Sequence, residues 1–185
     1  MLVQDAQREM RSVYVGGAIG QFVSGTIWLI SAILLTFVGT EAGVLSLFFG
    51  GMFIFPLTQL ALRLSGRSAT PSKDNPLFEL GRQVALVGPL CLPVIYLAIQ
   101  ANLNWFYPAF LIVIGAHYLP FTFMYGTRLY LILAALMVVG GVAIVFFLPD
   151  LFWVGGWFGA VVLLVFAFLI WREVVNQEEP SPGAQ

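Results

Sequence analysis

Six long apolar runs, interrupted by basic residues only at every second boundary, restrict this chain to one kind of fold. A helix needs about 20 mostly apolar residues to cross a bilayer, and the runs at 13–37, 43–62, 84–101, 105–125, 129–148 and 151–171 suit that length. All eight basic residues fall before the first run (Arg8, Arg11), between the second and third (Arg63, Arg67, Lys73, Arg82), between the fourth and fifth (Arg128) or after the last (Arg172). Basic loops stay on the cytoplasmic side. An N-terminus inside therefore places every basic group inside and leaves only Glu41 and Asp150 as charges outside. The expectation is an all-α, six-helix transmembrane bundle with both termini cytoplasmic.

Composition excludes the soluble alternative: 60% of residues are hydrophobic and 9% charged, where a soluble domain carries about 25% charged residues. The layout is a cytoplasmic N-terminal segment (1–12), one membrane domain (13–172) with a cytoplasmic loop at 63–83, and a disordered cytoplasmic tail (173–185). The outer connections at 38–42, 102–104 and 149–150 are too short for a folded extracytoplasmic module, so any chemistry is intramembrane or cytoplasmic. The basic groups at the inner boundary suit anionic lipid head groups; so few of them argue against a nucleic-acid partner. Cys91 stands alone in an apolar run and has no partner cysteine for a disulfide or metal cluster. Gly39-Thr40-Glu41 makes a poor cleavage site, so the first run is read as an uncleaved helix.

At the N-terminus, Leu2, Val3, Ala6 and Met10 are spaced for a short amphipathic helix lying against head groups, with a frayed terminus as the alternative. In the 63–83 loop, Asn75 followed by Pro76 is a helix start: the Asn side chain accepts from an orphan N–H, and Pro at the first helical position lacks one. Glu79 and Arg82, three residues apart, share a face and are expected to form an exposed ion pair. Trp105, Tyr107, Trp153 and Trp157 are expected at the outer interface, with Tyr14, Tyr125, Tyr130 and Trp171 at the inner one.

Internal repetition is visible. Gly51, Pro56 and Thr58 match Gly115, Pro120 and Thr122 at an offset of 64 residues, and Gly50, Gly115 and Gly159 each precede an Arg by 13. Three hairpins derived from one unit would give this pattern; chance matching of Gly-rich apolar sequence is the alternative. Gly16-x-x-x-Gly20 and Gly155-x-x-x-Gly159 allow close backbone approach, either between the first and last helices or across a homodimer seam.

Chemistry has few places to sit. Pro56, Pro89, Pro93 and Pro120 fall in the second, third and fourth spans, and each opens a backbone carbonyl that needs a partner inside the bundle. Gly88-Pro89 with Pro93 marks the third helix for a break. Tyr118, Thr122 and Tyr125 form one stripe on the fourth helix with His117 beside it, and Gln59 with Arg63 forms another on the second. Prolines and polar stripes together suggest a cytoplasm-facing vestibule between these three helices, with His117 a proton-responsive or liganding group. The alternative for His117 is a neutral imidazole bonded to Gln59, a Tyr or a Pro-freed carbonyl. No Asp or Glu lies within any apolar run, which disfavours carboxylate-coupled pumping. One His supplies neither a zinc site nor bis-His haem ligation, nucleotide-binding and nucleophile-elbow motifs are missing, and no cofactor is expected.

Asn75-Pro76-Leu77 with Gly81, followed by Gly115-Ala116-His117-Tyr118-Leu119-Pro120-Phe121 and Tyr125, resembles a group of small bacterial integral membrane proteins of unknown function. The resemblance spans the central half of the chain. It implies a bacterial inner-membrane location and a shared role for Asn75, His117 and Pro120, and carries no activity with it. Two main readings remain: binding or passage of a small solute, or a non-catalytic scaffold that docks a cytoplasmic protein through the 63–83 loop. A lipid- or quinone-directed enzyme using His117 is the weaker third.

Overall fold

The computed structural model describes residues 1–67 and 70–178 and is helical throughout, with no strand among them. Its helices are α1 (Val3–Tyr14), α2 (Ala18–Phe37), α3 (Thr40–Leu64), α4 (Pro76–Ala101), α5 (Phe106–Tyr125), α6 (Leu129–Phe147) and α7 (Phe152–Glu178). Six membrane-crossing helices are present, α2 to α7, each long and apolar enough to span a bilayer. α2, with 20 residues, is about 30 Å long, which matches the hydrocarbon thickness.

The first span starts later than its apolar run suggests. Val15, Gly16 and Gly17 take φ values of 53°, 61° and 87°, and this left-handed turn separates a short surface helix from α2. The two glycines reach that region without steric cost; the β-branched Val15 does so under strain. α1 is the amphipathic helix expected from its spacing, but its apolar face meets protein rather than head groups. Ala6 and Met10 are buried, while Leu2 and Val3 stay exposed, and the helix lies across α4 and α5.

Consecutive helices pair as α2–α3, α4–α5 and α6–α7, as three hairpins require, yet the centre of the bundle is made by α2 on α7 and α5 on α6. Glycines set these approaches. A Cβ on Gly159 would enter the ring of Trp28, one on Gly25 would lie 2.9 Å from the Leu164 side chain, and one on Gly115 would lie 3.1 Å from the Ala134 carbonyl oxygen. Gly16 and Gly159 thus join the first and last spans within one chain, whereas Gly20 faces Thr58 of α3. Of the residues in the repeat, Gly50, Gly115 and Gly159 all make close contacts, but Gly51 faces open space. The proposed equivalence of Gly51 with Gly115 therefore has no counterpart in packing.

Several boundaries and side-chain placements differ from expectation. α4 begins at Pro76, with Asn75 Oδ1 accepting from the Leu77 N–H at 3.0 Å, and it runs unbroken through Pro89 and Pro93. Both prolines are exposed on the outer surface of the bundle; each removes one hydrogen bond within α4, and the rest of the ladder carries the helix through. α7 continues to Glu178, so 173–178 is helix rather than tail; the expectation of disorder over 179–185 lies outside the described residues. Tyr107, Tyr125 and Tyr130 lie at the ends of α5 and α6 with their rings turned into the bundle and buried. Two of their hydroxyls have internal partners: Tyr107 bonds to Ser31 at 2.7 Å and Tyr130 donates to the Gly16 carbonyl at 2.8 Å. Trp105, Trp153 and Trp171 do remain exposed.

Candidate functional site: a polar seam between α2 and α5

α2 and α5 both carry polar side chains into the bundle. Tyr118 and Tyr125 are buried and join Phe121 and Tyr130 in a ring cluster, with centroids 5.2 Å apart for Phe121–Tyr130 and 5.6 Å for Tyr125–Tyr130. The Tyr118 side chain faces Ser24 and Gln21 of α2, without a hydrogen bond to Gln21 Nε2. Both partners are buried. Tyr118 lies seven residues from the end of α5, about 10 Å along the axis, so this contact sits inside the hydrocarbon layer. We call it the α2–α5 seam.

Three buried side-chain atoms on α2 and α5 have no hydrogen-bond partner among the described residues: Gln21 Nε2, His117 Nδ1 and Thr122 Oγ1. An unpaired polar group in hydrocarbon costs several kcal/mol. They are not equivalent. Thr122 can rotate to bond the carbonyl one turn back on its own helix. The Gln21 amide N–H₂ is held inside the bundle with no acceptor among the described residues. His117 points away from the seam to α4, where it faces the Val84 backbone carbonyl, and its ring lies 5.2 Å from Phe121 and 5.5 Å from Tyr118. The Val84 carbonyl is not one that a proline frees, since Pro89 and Pro93 release the carbonyls of residues 85 and 89.

The other predicted residues are placed elsewhere. Gln59 and the exposed Arg63 belong to α3, whose packing partner is α2, while α4 packs on α5 and α1. α3 and α4 thus flank the bundle on separate partners rather than splaying around a common mouth. Pro56, like Pro89 and Pro93, is exposed, and Pro120 is partly buried in a continuous α5. The clearest surface depressions are shallow and open and lie at the far end, lined by residues between 38 and 45 and by Leu103.

At the basic end, α1 and the 63–83 loop form a polar collar. Gln7 Nε2 donates to the Phe123 carbonyl and Arg11 Nη1 to the Tyr125 carbonyl, each at 2.6 Å. These are carbonyls of the last turn of α5, which have no intrahelical partner, and the Arg11 charge suits the negative end of the helix dipole. Arg67 Nη1 donates to the Ser12 carbonyl at 2.7 Å in the last turn of α1. Glu9 accepts from the Ser72 N–H at 2.6 Å and from Asn75 Nδ2 at 2.8 Å, and Asn75 Nδ2 also reaches the Ala6 carbonyl at 3.1 Å. The Ser72 N–H, followed by the Asn75 amide, holds the Glu9 carboxyl below its usual range. Asn75 therefore caps α4 and ties it to α1 at once. The Glu79–Arg82 pair forms as expected, at 3.1 Å and exposed, and contributes only about 0–1 kcal/mol.

Gln21, Ser24 and the collar escaped sequence reasoning. Gln21, Ser24, Trp28 and Ser31 recur at i, i+3, i+7 and i+10, one face of a helix, and that stripe was a readable signal. The collar had none, because its bonds join residues 55 to 116 positions apart.

Six spanning helices with a buried polar seam define a multi-pass integral membrane protein. The chain belongs to a family of unknown function, DUF7010, which it matches over residues 3–173. No curated protein and no solved structure matches it.

Proposed function

We propose that this protein binds and passes a small hydrogen-bonding solute through the α2–α5 seam, entered from the basic end, and that this end faces the cytoplasm of a bacterial inner membrane. The observation that carries the reading is the unmatched amide of Gln21, 3% exposed, beside Tyr118 and Ser24 at membrane depth. A solute offering both donors and acceptors would satisfy it. Charge segregation supports the orientation, since the basic groups share one end. Compared with a vestibule between α3, α4 and α5, the site lies one helix inward, because α3 and α4 have different packing partners. Thr122 borders it, whereas His117 turns toward α4 and Gln59 and Arg63 lie on α3.

The test is a thermal-shift screen of purified protein against amino acids, polyols, amides and small carboxylates, repeated with Gln21→Leu and with Gln59→Ala. A stabilising compound whose effect is lost in Gln21→Leu and kept in Gln59→Ala supports the seam. Equal effects in both variants would remove it.

The scaffold reading draws on one observation: Ser72 and Asn75 turn inward to α1, which leaves Lys73, Asp74, Glu79 and Arg82 exposed on an anchored segment. Photocrosslinkers at 73 and 79 that recover one cytoplasmic protein support it; recovery of lipid alone counts against it.

A further inference from the structure

α1 is fastened differently from every other helix. With 12 residues it is about 18 Å long, too short to cross a bilayer, and it lies on the bundle instead of within it. Its apolar contact is small, made by the buried Ala6 and Met10, the latter near Gly81, and by the partly buried Tyr14 at the hinge end. The remaining hold is the set of polar bonds at the watery end, from Gln7 and Arg11 to α5 and from Glu9 to the loop. Water can replace such bonds one by one, whereas it cannot enter the Trp28 core.

The connection to α2 is built as a pivot. Val15, Gly16 and Gly17 are consecutively left-handed, and the turn itself is pinned, by Tyr130 donating to the Gly16 carbonyl and by Val174 and Ile170 close against Gly16. Strain at a non-glycine left-handed residue persists only where its surroundings impose it. A pinned, strained turn beside a helix held by exchangeable bonds separates a fixed point from a movable arm. The arm lies over the Phe123 and Tyr125 carbonyls, within one turn of Thr122 and about two turns from Tyr118.

We propose that α1 is a hinged latch, which swings off the inner ends of α4 and α5 about the Val15–Gly17 turn and opens the polar seam to water. The inference rests on the seam being the route proposed above, but its test needs no solute. In a Cys91→Ser background, Thr122→Cys reports access to the seam and Ala160→Cys, fully buried in α7, reports general loosening. Both are labelled with a membrane-impermeant maleimide in nanodiscs. Arg11→Ala should speed labelling at position 122 at least fivefold and leave position 160 unchanged, and Arg11→Lys, which keeps a cationic donor, should stay within twofold of the parent. Labelling at 122 that ignores Arg11→Ala, that rises equally at 160, or that never occurs would overturn the latch. A latch-dependent rate together with an empty solute screen would retain the latch and sink only the solute reading.

Discussion

The central helices and the two flanking ones are similarly apolar, yet they are used in opposite ways. In the most apolar windows of the first and last spans 44% of residues are buried, against 6% in α3 and 11% in α4. Hydropathy does not separate the two groups, because lipid tails are as apolar as leucine and there is no hydrophobic drive between helices inside a bilayer. What separates them is shape and polarity. The central helices carry the glycines that admit Trp28, Tyr107 and Leu164, and the serines and glutamine that need internal partners. The flanking helices carry Pro56, Pro89 and Pro93 on exposed faces and present Phe53, Phe55, Leu90 and Leu97 outward.

The strongest way to break this contrast is to truncate one aromatic from each region. Trp28→Ala should cost about 3–5 kcal/mol, as large core truncations do, while Phe53→Ala, 58% exposed, should stay within about 0.5 kcal/mol. Unfolding of the two variants in mixed detergent measures it, and equal losses would mean that α3 is covered in the folded protein. Glycines give a finer comparison. Gly159→Ala pushes a methyl into the Trp28 ring and should cost about 1–3 kcal/mol, whereas Gly51→Ala, in open space, should stabilise α3 by about 0.5–1 kcal/mol through helix propensity. A neutral Gly159→Ala would show that Trp28 has room to shift.

Polar fastening at the collar sharpens the contrast further, since α4 is tied to α1 through Asn75. Asn75→Ala removes the α4 cap and should cost about 1 kcal/mol, read as faster hydrogen exchange in both α4 and α1 with α2 and α7 unchanged. The smallest effect concerns pH. The Glu9 carboxyl is held below its ordinary value by the Ser72 N–H and Asn75, so its contribution is present above the unfolded carboxyl pKa, about 4.3, and is lost as pH falls through the lower folded value. Acidification should therefore loosen α1 selectively, and Glu9→Gln should show the looser state already at neutral pH. Exchange in α1 that stays flat across this range in both forms would assign Glu9 no part in holding the collar.

Much of the framework was legible from residue types alone. The six spans, the Asn75-Pro76 helix start and the Glu79–Arg82 pair follow from local rules whose partners lie within four residues, and the glycine pairs announced close helix contacts. The proposed seam was legible only in part: Tyr118 and Thr122 share a stripe on α5 that local spacing shows, whereas their apposition to Gln21 and Ser24 on α2 depends on how distant helices pack. The proline argument failed because a missing hydrogen bond says which carbonyl is freed and not which way it faces.

By itself the sequence determined that this chain spans a membrane six times and gathers its basic groups at one end, because hydrocarbon thickness and charge placement act on each segment independently. Only the tertiary structure decided which helices form the centre, that Gln21 meets Tyr118, and that a short N-terminal helix closes over the end of α5. Those outcomes depend on packing between segments that are equally soluble in lipid, and there the small differences are steric fit and the pairing of a few polar atoms from distant parts of the chain.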